Sequence, residues 1–534
     1  MDRRSLAFCH RCRARKQGSR GTYNLRRSAI TTCICFIVLA NAQCGGDRRG
    51  NQTDSRTLTI HVADQDERVL GPLGANPWFL VFLGLAVDPE GTDDPQPRLL
   101  DRWEHTPDYT EWTVHVRDDV QWDDGVPVTA EDVKFSLELW TNPAILYEYR
   151  FFDEITVLGS HTLRITFTEP VSATIFDFSG LAMLPKHLLD TLDVEAGGIF
   201  TWPFWVQPVG NGPYRYVRHV PKTMTELEVN PNYYGDKPKI PKVVLRYGGN
   251  AVIELLSGNV DIANGITPLQ AVQLGADPRF RIYHSLRFNP RDVAIVWNHR
   301  NPLFRDAGVR RALTMSIDRR ELHRVLNYPD DLPIFDVPVL ARHHARGAVP
   351  DPLPFDSARA AQLFARAGWV DTDNDGILDK NGQEFRFTLS TTSERSAEAV
   401  FIQAQLRRAG IRMEISTFDR GALRERTAER NFDAAIELYN YLEAFEIFPV
   451  SGYINPEVSR LRNAAWSTID QNDADKHLRE LWKIFGEDIP ITYLHPSITY
   501  LAAHRRVGGL QNNRDLFRIV EHLWIEDGKD EPNE

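Results

Sequence analysis

All five cysteines of this 534-residue chain (Cys9, Cys12, Cys33, Cys35 and Cys44) fall within its first 44 residues, and the 490 that follow contain none. No internal disulfide can therefore hold the body together, and apolar burial has to do so. At roughly 150 residues per domain, the length asks for about three units rather than one core. With 42% hydrophobic and 25% charged residues, the chain is rich enough in apolar side chains to build them. Charge is segregated as sharply as cysteine: residues 1–43 are net +8 and the remainder is net −19. A body that acidic repels phosphate backbones, which argues against nucleic acid as a partner.

The basic start (nine Lys/Arg from Arg3 to Arg27) leads into a twelve-residue apolar run, Ala29 to Ala40. That run is short for a bilayer span, and a positive region before a short apolar one is the pattern of a secretory signal. Residues 1–43 are read as that targeting segment, and the polar 44–56 as a tether. The arrangement resembles a bacterial lipoprotein signal, with Cys44 as the lipidated first mature residue. Cleavage near Ala42 without lipidation is the rival, because Asn41-Ala42-Gln43-Cys44 lacks the usual Leu three residues before the Cys. Cys9 and Cys12 would make half a zinc site with no second pair in reach. A start downstream of Met1 would remove them.

The body interleaves helix and strand periods. Leu58, Ile60 and Val62 alternate, as do Trp112, Val114 and Val116, so both stretches predict strands with one apolar face. Thr129 followed by Asp132 predicts a capping box opening a helix with Val133, Leu137 and Trp140 on one stripe. Val309, Leu313 and Ile317 form another stripe, as do Ala399, Ile402 and Leu406. Gly410 then stops the helix before a strand through Ile411, Met413 and Ile415. Such interleaving predicts α/β layers.

Several blocks, in order, resemble the extracellular solute-binding proteins of peptide-class ABC transporters, the dipeptide, oligopeptide and nickel-binding group. The longest is Leu99-Leu100-Asp101-Arg102-Trp103 followed by Trp112 to Val133, reading WTVHVRDDVQWDDGVPVTAEDV. Asn211-Gly212-Pro213-Tyr214, Asn230-Pro231-Asn232-Tyr233-Tyr234 and Leu256 to Ala263 follow. So do Val309-Arg310-Arg311-Ala312-Leu313, Ile317-Asp318-Arg319, Ala367-Gly368-Trp369 and Leu406 to Ile411. The resemblance runs from about Thr57 to Trp524. It implies an α/β, two-lobed type II periplasmic binding protein with an additional small domain. The implied boundaries are lobe I at 57–95, 205–292 and 491–534, the small domain at 96–204, and lobe II at 293–490. It implies further a hinge of two crossing strands near Val293–Asn298 and Ile489–Leu494.

The family closes its lobes over a solute, with a carboxylate for the ligand's ammonium and aromatic walls. On that basis the ligand-binding candidates are Trp297 and Asn298 on the crossing strand, then Tyr439, Asn440, Tyr441 and Glu443, and Trp205. The family's Asp-Pro-Asp element is absent after the strand Phe432 to Tyr439, and Glu443 or Glu446 is the substitute on offer. For each aromatic the competing reading is core packing. The resemblance implies a monomeric, exported capture subunit, working with ABC permease subunits at the membrane surface and without a cofactor. A sensor or adaptor using the same fold is the rival from another class.

Other signals carry less. Asp371-Thr372-Asp373-Asn374-Asp375-Gly376 reads like a calcium loop, but Gly382 stands where a bidentate Glu should close the shell, which favours a structural turn. His343-His344 reads as a loop pair. No nucleophile elbow, phosphate loop or metalloprotease motif is present, and no cysteine follows Cys44, so no catalytic residue is assigned.

Overall fold

A computed structural model describes residues 56–62, 76–87, 95–141, 152–171, 182–191, 203–286, 292–338, 349–439, 450–468, 470–512 and 515–526. All of them belong to the compact unit Thr53–Glu534. The targeting segment, the lipidation candidate Cys44, His343-His344, and Asn440, Tyr441, Glu443 and Glu446 lie outside the described residues. None of the described helices is long and apolar enough to cross a membrane.

Strand β1 (Thr57–Val62) is buried along its whole length, not on alternate residues as its pattern predicts. The reason is its central position: it pairs in parallel on both sides, so both of its faces are covered. Strands β2 (Leu100–His105), β3 (Glu111–Val116), β4 (Phe152–Gly159) and β5 (Thr162–Phe167) form an antiparallel sheet in the order β2-β3-β5-β4. The helix α1 (Ala130–Trp140) lies on it. The Thr129 N–H donates to Asp132 Oδ2 at 2.8 Å at its start, and Val133, Leu137 and Trp140 are buried, as their spacing predicts. This small sheet shares one apolar cluster with the sheet of β1.

Strands β6 (Tyr214–Val220), β7 (Met224–Val229), β8 (Lys242–Tyr247), β9 (Ile262–Ile266) and β10 (Phe280–Leu286) return to β1. Strands β11 (Asp292–Trp297), β12 (Arg386–Thr392), β13 (Arg412–Phe418), β14 (Ala434–Tyr439) and β15 (Ile491–Pro496) build a second large sheet, and β16 (Ile498–His504) rejoins the first. The orders are β10-β16-β9-β1-β8-β7-β6 and β13-β12-β14-β11-β15. Helices α2 (Ala307–Met315), α3 (Arg319–Val325) and α4 (Ser396–Arg408) cover one face of the second sheet, and α5 (Gln471–Asp488) the other. Gly410, at φ +81°, ends the segment after α4 where only a residue tolerant of the left-handed region fits, and Met413 returns to the core on β13.

One boundary differs from expectation. The segment 491–496, expected in lobe I, is the edge strand of the second sheet, paired antiparallel with β11. The return to the first sheet begins at Ile498, one residue after Ser497. The apolar run Ile491 to Leu494 reads equally well as a strand of either sheet, so its pattern alone cannot place the crossing.

Candidate functional site

The chain passes between the two large sheets along two neighbouring paths. Outbound, β10 leads to β11; on return, β15 leads to β16. In the first sheet β10 and β16 are antiparallel neighbours, with Leu286 opposite Ile498. In the second, β11 and β15 are antiparallel neighbours, with Asp292 opposite Pro496. Two neighbouring crossings of this kind are the arrangement that a hinge requires, in which only the few residues between the sheets change φ/ψ.

Three strand ends meet at the second sheet's side of this crossing: Asp292 of β11 lies between Tyr439 of β14 and Pro496 of β15. Tyr439 was expected to face the ligand; its backbone is the last paired residue of β14, and residues 440–449 are not described.

Trp297 is corrected. Its ring is fully buried against Phe304 and Phe387, and its indole N–H donates to Thr492 Oγ1 at 3.0 Å. Alternation along β11 puts Val293, Ile295 and Trp297 on the face that α2 and α4 cover. Asn298 is corrected too. Its amide donates to the Phe432 carbonyl at 2.7 Å and its Oδ1 accepts from the Arg300 N–H at 3.1 Å, so it clamps the turn after β11 to the start of β14. Trp205 lies in the core of the first lobe, edge-on to Phe204 at 5.2 Å and to Phe82 at 6.3 Å.

Beside the hinge, sequence patterns missed a buried polar cluster. Glu398 on α4 pairs with Arg395 at 3.0 Å and faces His495 on β15 at 3.4 Å. Burial alone would raise the Glu398 carboxyl, but His495 and the Arg395 charge hold it below the usual carboxylate range. His323 on α3 shares a contact with the Leu494 carbonyl at 3.1 Å, and burial pushes its imidazole down to about 4. Tyr328 packs on His495 at 4.8 Å and also touches the apolar cluster of the first sheet that contains Tyr500. These residues are scattered over 173 positions of sequence, from His323 to His495, and carry no shared spacing.

Two acids on the other face were also missed. Asp292 is almost wholly buried, and desolvation drives its carboxyl well above the usual range. Burial pushes the Glu437 carboxyl up to about 7, against the pull of Arg424. In the surface loop, Asp371, Asp373 and Asp375 bring carboxylates within 4.8 Å of one another, with Asp371 accepting from the Gly376 N–H and Asp375 from the Ile377 N–H. A cavity of about 40 Å³ lies within the first lobe, beside Phe79, Phe82, Pro213, Phe517 and the Arg98–Glu521 ion pair. It has room for a water or two and none for a peptide.

Comparison with known proteins agrees with this geometry. The oligopeptide-binding protein AppA of Bacillus subtilis is 27% identical over 450 residues, 78% of this chain and 80% of that one. The probable D,D-dipeptide-binding periplasmic protein DdpA of Escherichia coli is 23% identical over 466 residues, covering 80% and 84%. Among solved structures, Bacillus subtilis AppA in complex with a nonapeptide superposes with a TM-score of 0.69 at 22% identity, over 88% of this chain and 99% of that one. NikZ of Campylobacter jejuni in complex with Ni(L-His) gives 0.72 at 22% identity and the same coverage. Both likenesses establish the α/β periplasmic-binding-protein fold. The sequence model of bacterial extracellular solute-binding proteins, family 5, middle region, matches residues 94–442, well over half of the chain. With the paired crossing between two sheets in place, the chain belongs to the family 5 bacterial extracellular solute-binding proteins.

Proposed function

We propose that this protein is the solute-capture subunit of an ABC importer, closing its two lobes over an oligopeptide or a related amine-bearing solute. The observation that carries the reading is the double crossing, β10 to β11 and β15 to β16, each pair antiparallel on both sides of the junction. Closure on such a hinge stabilises one shape only by as much as the solute prefers it, which is how occupancy is signalled to a permease. The printed names of relatives support the solute class: AppA of Bacillus subtilis is an oligopeptide-binding protein, and a Brucella ovis relative, 25% identical over 309 residues, is a putative ABC transporter peptide-binding protein.

On this reading residues 1–43 export the chain, Cys44 carries the lipid that holds it at the membrane, and the mature protein works as a monomer. Tyr439, Asn440, Tyr441 and Glu443 line the solute site. The test is thermal melting and small-angle scattering of the mature protein with a pool of tri- to pentapeptides. At a hundred times Kd, binding adds about 2.7 kcal/mol of stability, and the radius of gyration falls as the lobes close. A pool that changes neither quantity removes peptides from the reading.

A further inference from the structure

Strand β15 carries one residue more than its partner β11. Ala294 stands opposite Tyr493 and Val293 opposite His495, so Leu494 is the extra residue of a β-bulge. Without it, alternation from Tyr493 would aim His495 at the face that α5 covers. The bulge turns His495 instead to the side of Leu494, where α3 and α4 pack. Its side chain is fully buried there, between two acceptors. Nδ1 lies 3.0 Å from the Pro496 carbonyl, and Nε2, with no hydrogen-bond partner of its own, lies 3.4 Å from Glu398 Oε1. A neutral imidazole has one N–H and can serve only one of them, leaving a lone pair against the other oxygen. An imidazolium serves both.

The groups around His495 close a circuit. Glu398 pairs with Arg395 at 3.0 Å, Arg395 donates to the Tyr328 hydroxyl, and the Tyr328 ring packs on His495 at 4.8 Å. Tyr328 also touches the apolar cluster of the first lobe, near Tyr500, whose ring faces His284. From α3, His323 meets the His495 ring edge-on at 6.1 Å, and burial pushes its imidazole down to about 4, so it stays uncharged near neutrality. Arg319 is held by Asp336, and Arg320 by the Leu332 carbonyl. Asp292 and Glu437 lie on the opposite face of the sheet by alternation. We propose that a proton on His495 is a latch: it joins the return strand of the hinge to α4 and, through Tyr328, holds the contact between the lobes, and its loss as pH rises releases them. The inference rests on the double crossing acting as a hinge, and it adds proton control to the capture reading above.

The test follows lobe motion in the mature protein by single-molecule energy transfer. No cysteine follows Cys44, so C44S with N259C in the first lobe and R408C in the second takes two dyes at exposed positions. In this otherwise wild-type protein without solute, exchange between lobe arrangements should speed up at least about tenfold from pH 5.5 to pH 8.5, the worth of one buried hydrogen bond to a charged group. E398Q is close to isosteric and removes the charge, while H495N keeps a donor for Pro496 and none for Glu398. Both should exchange at the fast rate throughout, with less than about a twofold change across the range. Glu437 titrates in the same range but is common to all these proteins, so it cannot produce the difference. A rise that survives in E398Q, or an E398Q protein that exchanges slowly throughout, overturns the latch and leaves capture standing. So does a wild-type rate that is the same at both ends of the range. Lobes at one fixed separation at every pH, with and without tri- to pentapeptides, overturn the hinge and the latch with it.

Discussion

Arg319 donates to Asp336 Oδ1 at 2.5 Å, with the two side chains only 3% and 8% exposed. The same guanidinium reaches the carbonyls of Phe335, Tyr493 and Leu353, at 3.1, 3.1 and 2.8 Å. One side chain at the start of α3 thus ties the returning hinge strand β15 to the segments on either side of 339–348. Replacing only the acid strands a buried cation. D336A should therefore cost about 3–5 kcal/mol in urea unfolding, whereas the apolar double change R319M/D336L should recover most of that loss. A D336A protein as stable as the wild type would mean that the pair contributes nothing.

Glu437 makes stability depend on pH in a defined direction. Its folded carboxyl titrates at about 7, above the ordinary value near 4.5, so the folded state keeps a proton that the unfolded state gives up. Stability is complete below the unfolded value and falls as pH rises from about 4.5 to about 7. E437Q cannot titrate. Its stability relative to the wild type should rise by on the order of 1–3 kcal/mol across that window and stay level above it. Parallel urea titrations at half-unit steps of pH would read this directly.

His299 works in the opposite sense. Burial and the Arg310 charge push its imidazole down to about 4, with a hydrogen bond of 2.9 Å joining Nε2 to the Pro490 carbonyl. The unfolded chain takes up a proton near 6.5 that the folded one refuses, so stability present above 6.5 is lost as pH falls toward 4. H299Q should flatten the acid limb of the stability curve. An unchanged limb would show that another group, such as His323, sets it.

How far the sequence reaches can be seen at the turn Asn211-Gly212-Pro213-Tyr214. It was legible as a family block, but its physical role was not. The Gly212 N–H donates to the Val81 carbonyl at 2.7 Å, and a Cβ on Gly212 would come within 2.6 Å of the Val81 carbonyl carbon. Asn211 accepts from the Leu83 N–H at 2.8 Å. The turn is thus a joint between segments 130 residues apart, and a glycine is required because two backbones nearly touch. Periodicity found α1, α2, α4 and β3 because each buries one stripe or face. It could not separate β11, buried on both faces, from a strand that presents Trp297 to a ligand, since a continuous apolar run looks the same in either setting. Asp292 and Glu437 escaped notice for a related reason: an isolated acid carries no spacing, and only burial distinguishes it from a solvated one.

Trp297 offers the sharpest separation of core from cleft. Its ring fills space between Phe304 and Phe387, and its N–H meets the Thr492 hydroxyl, which in turn shares a 2.6 Å hydrogen bond with Thr314. Phenylalanine retains most of the apolar contact but supplies no donor, so W297F should cost about 1–3 kcal/mol of stability through the lost bond and the incompletely filled site. Solute affinity should stay within about twofold, because the ring faces α2 and α4 rather than the hinge. A ring that walls the solute would show the reverse, with affinity falling tenfold or more, or about 1.4 kcal/mol, while the melting temperature of the empty protein hardly moved. Measuring both quantities on the same preparation decides between the two.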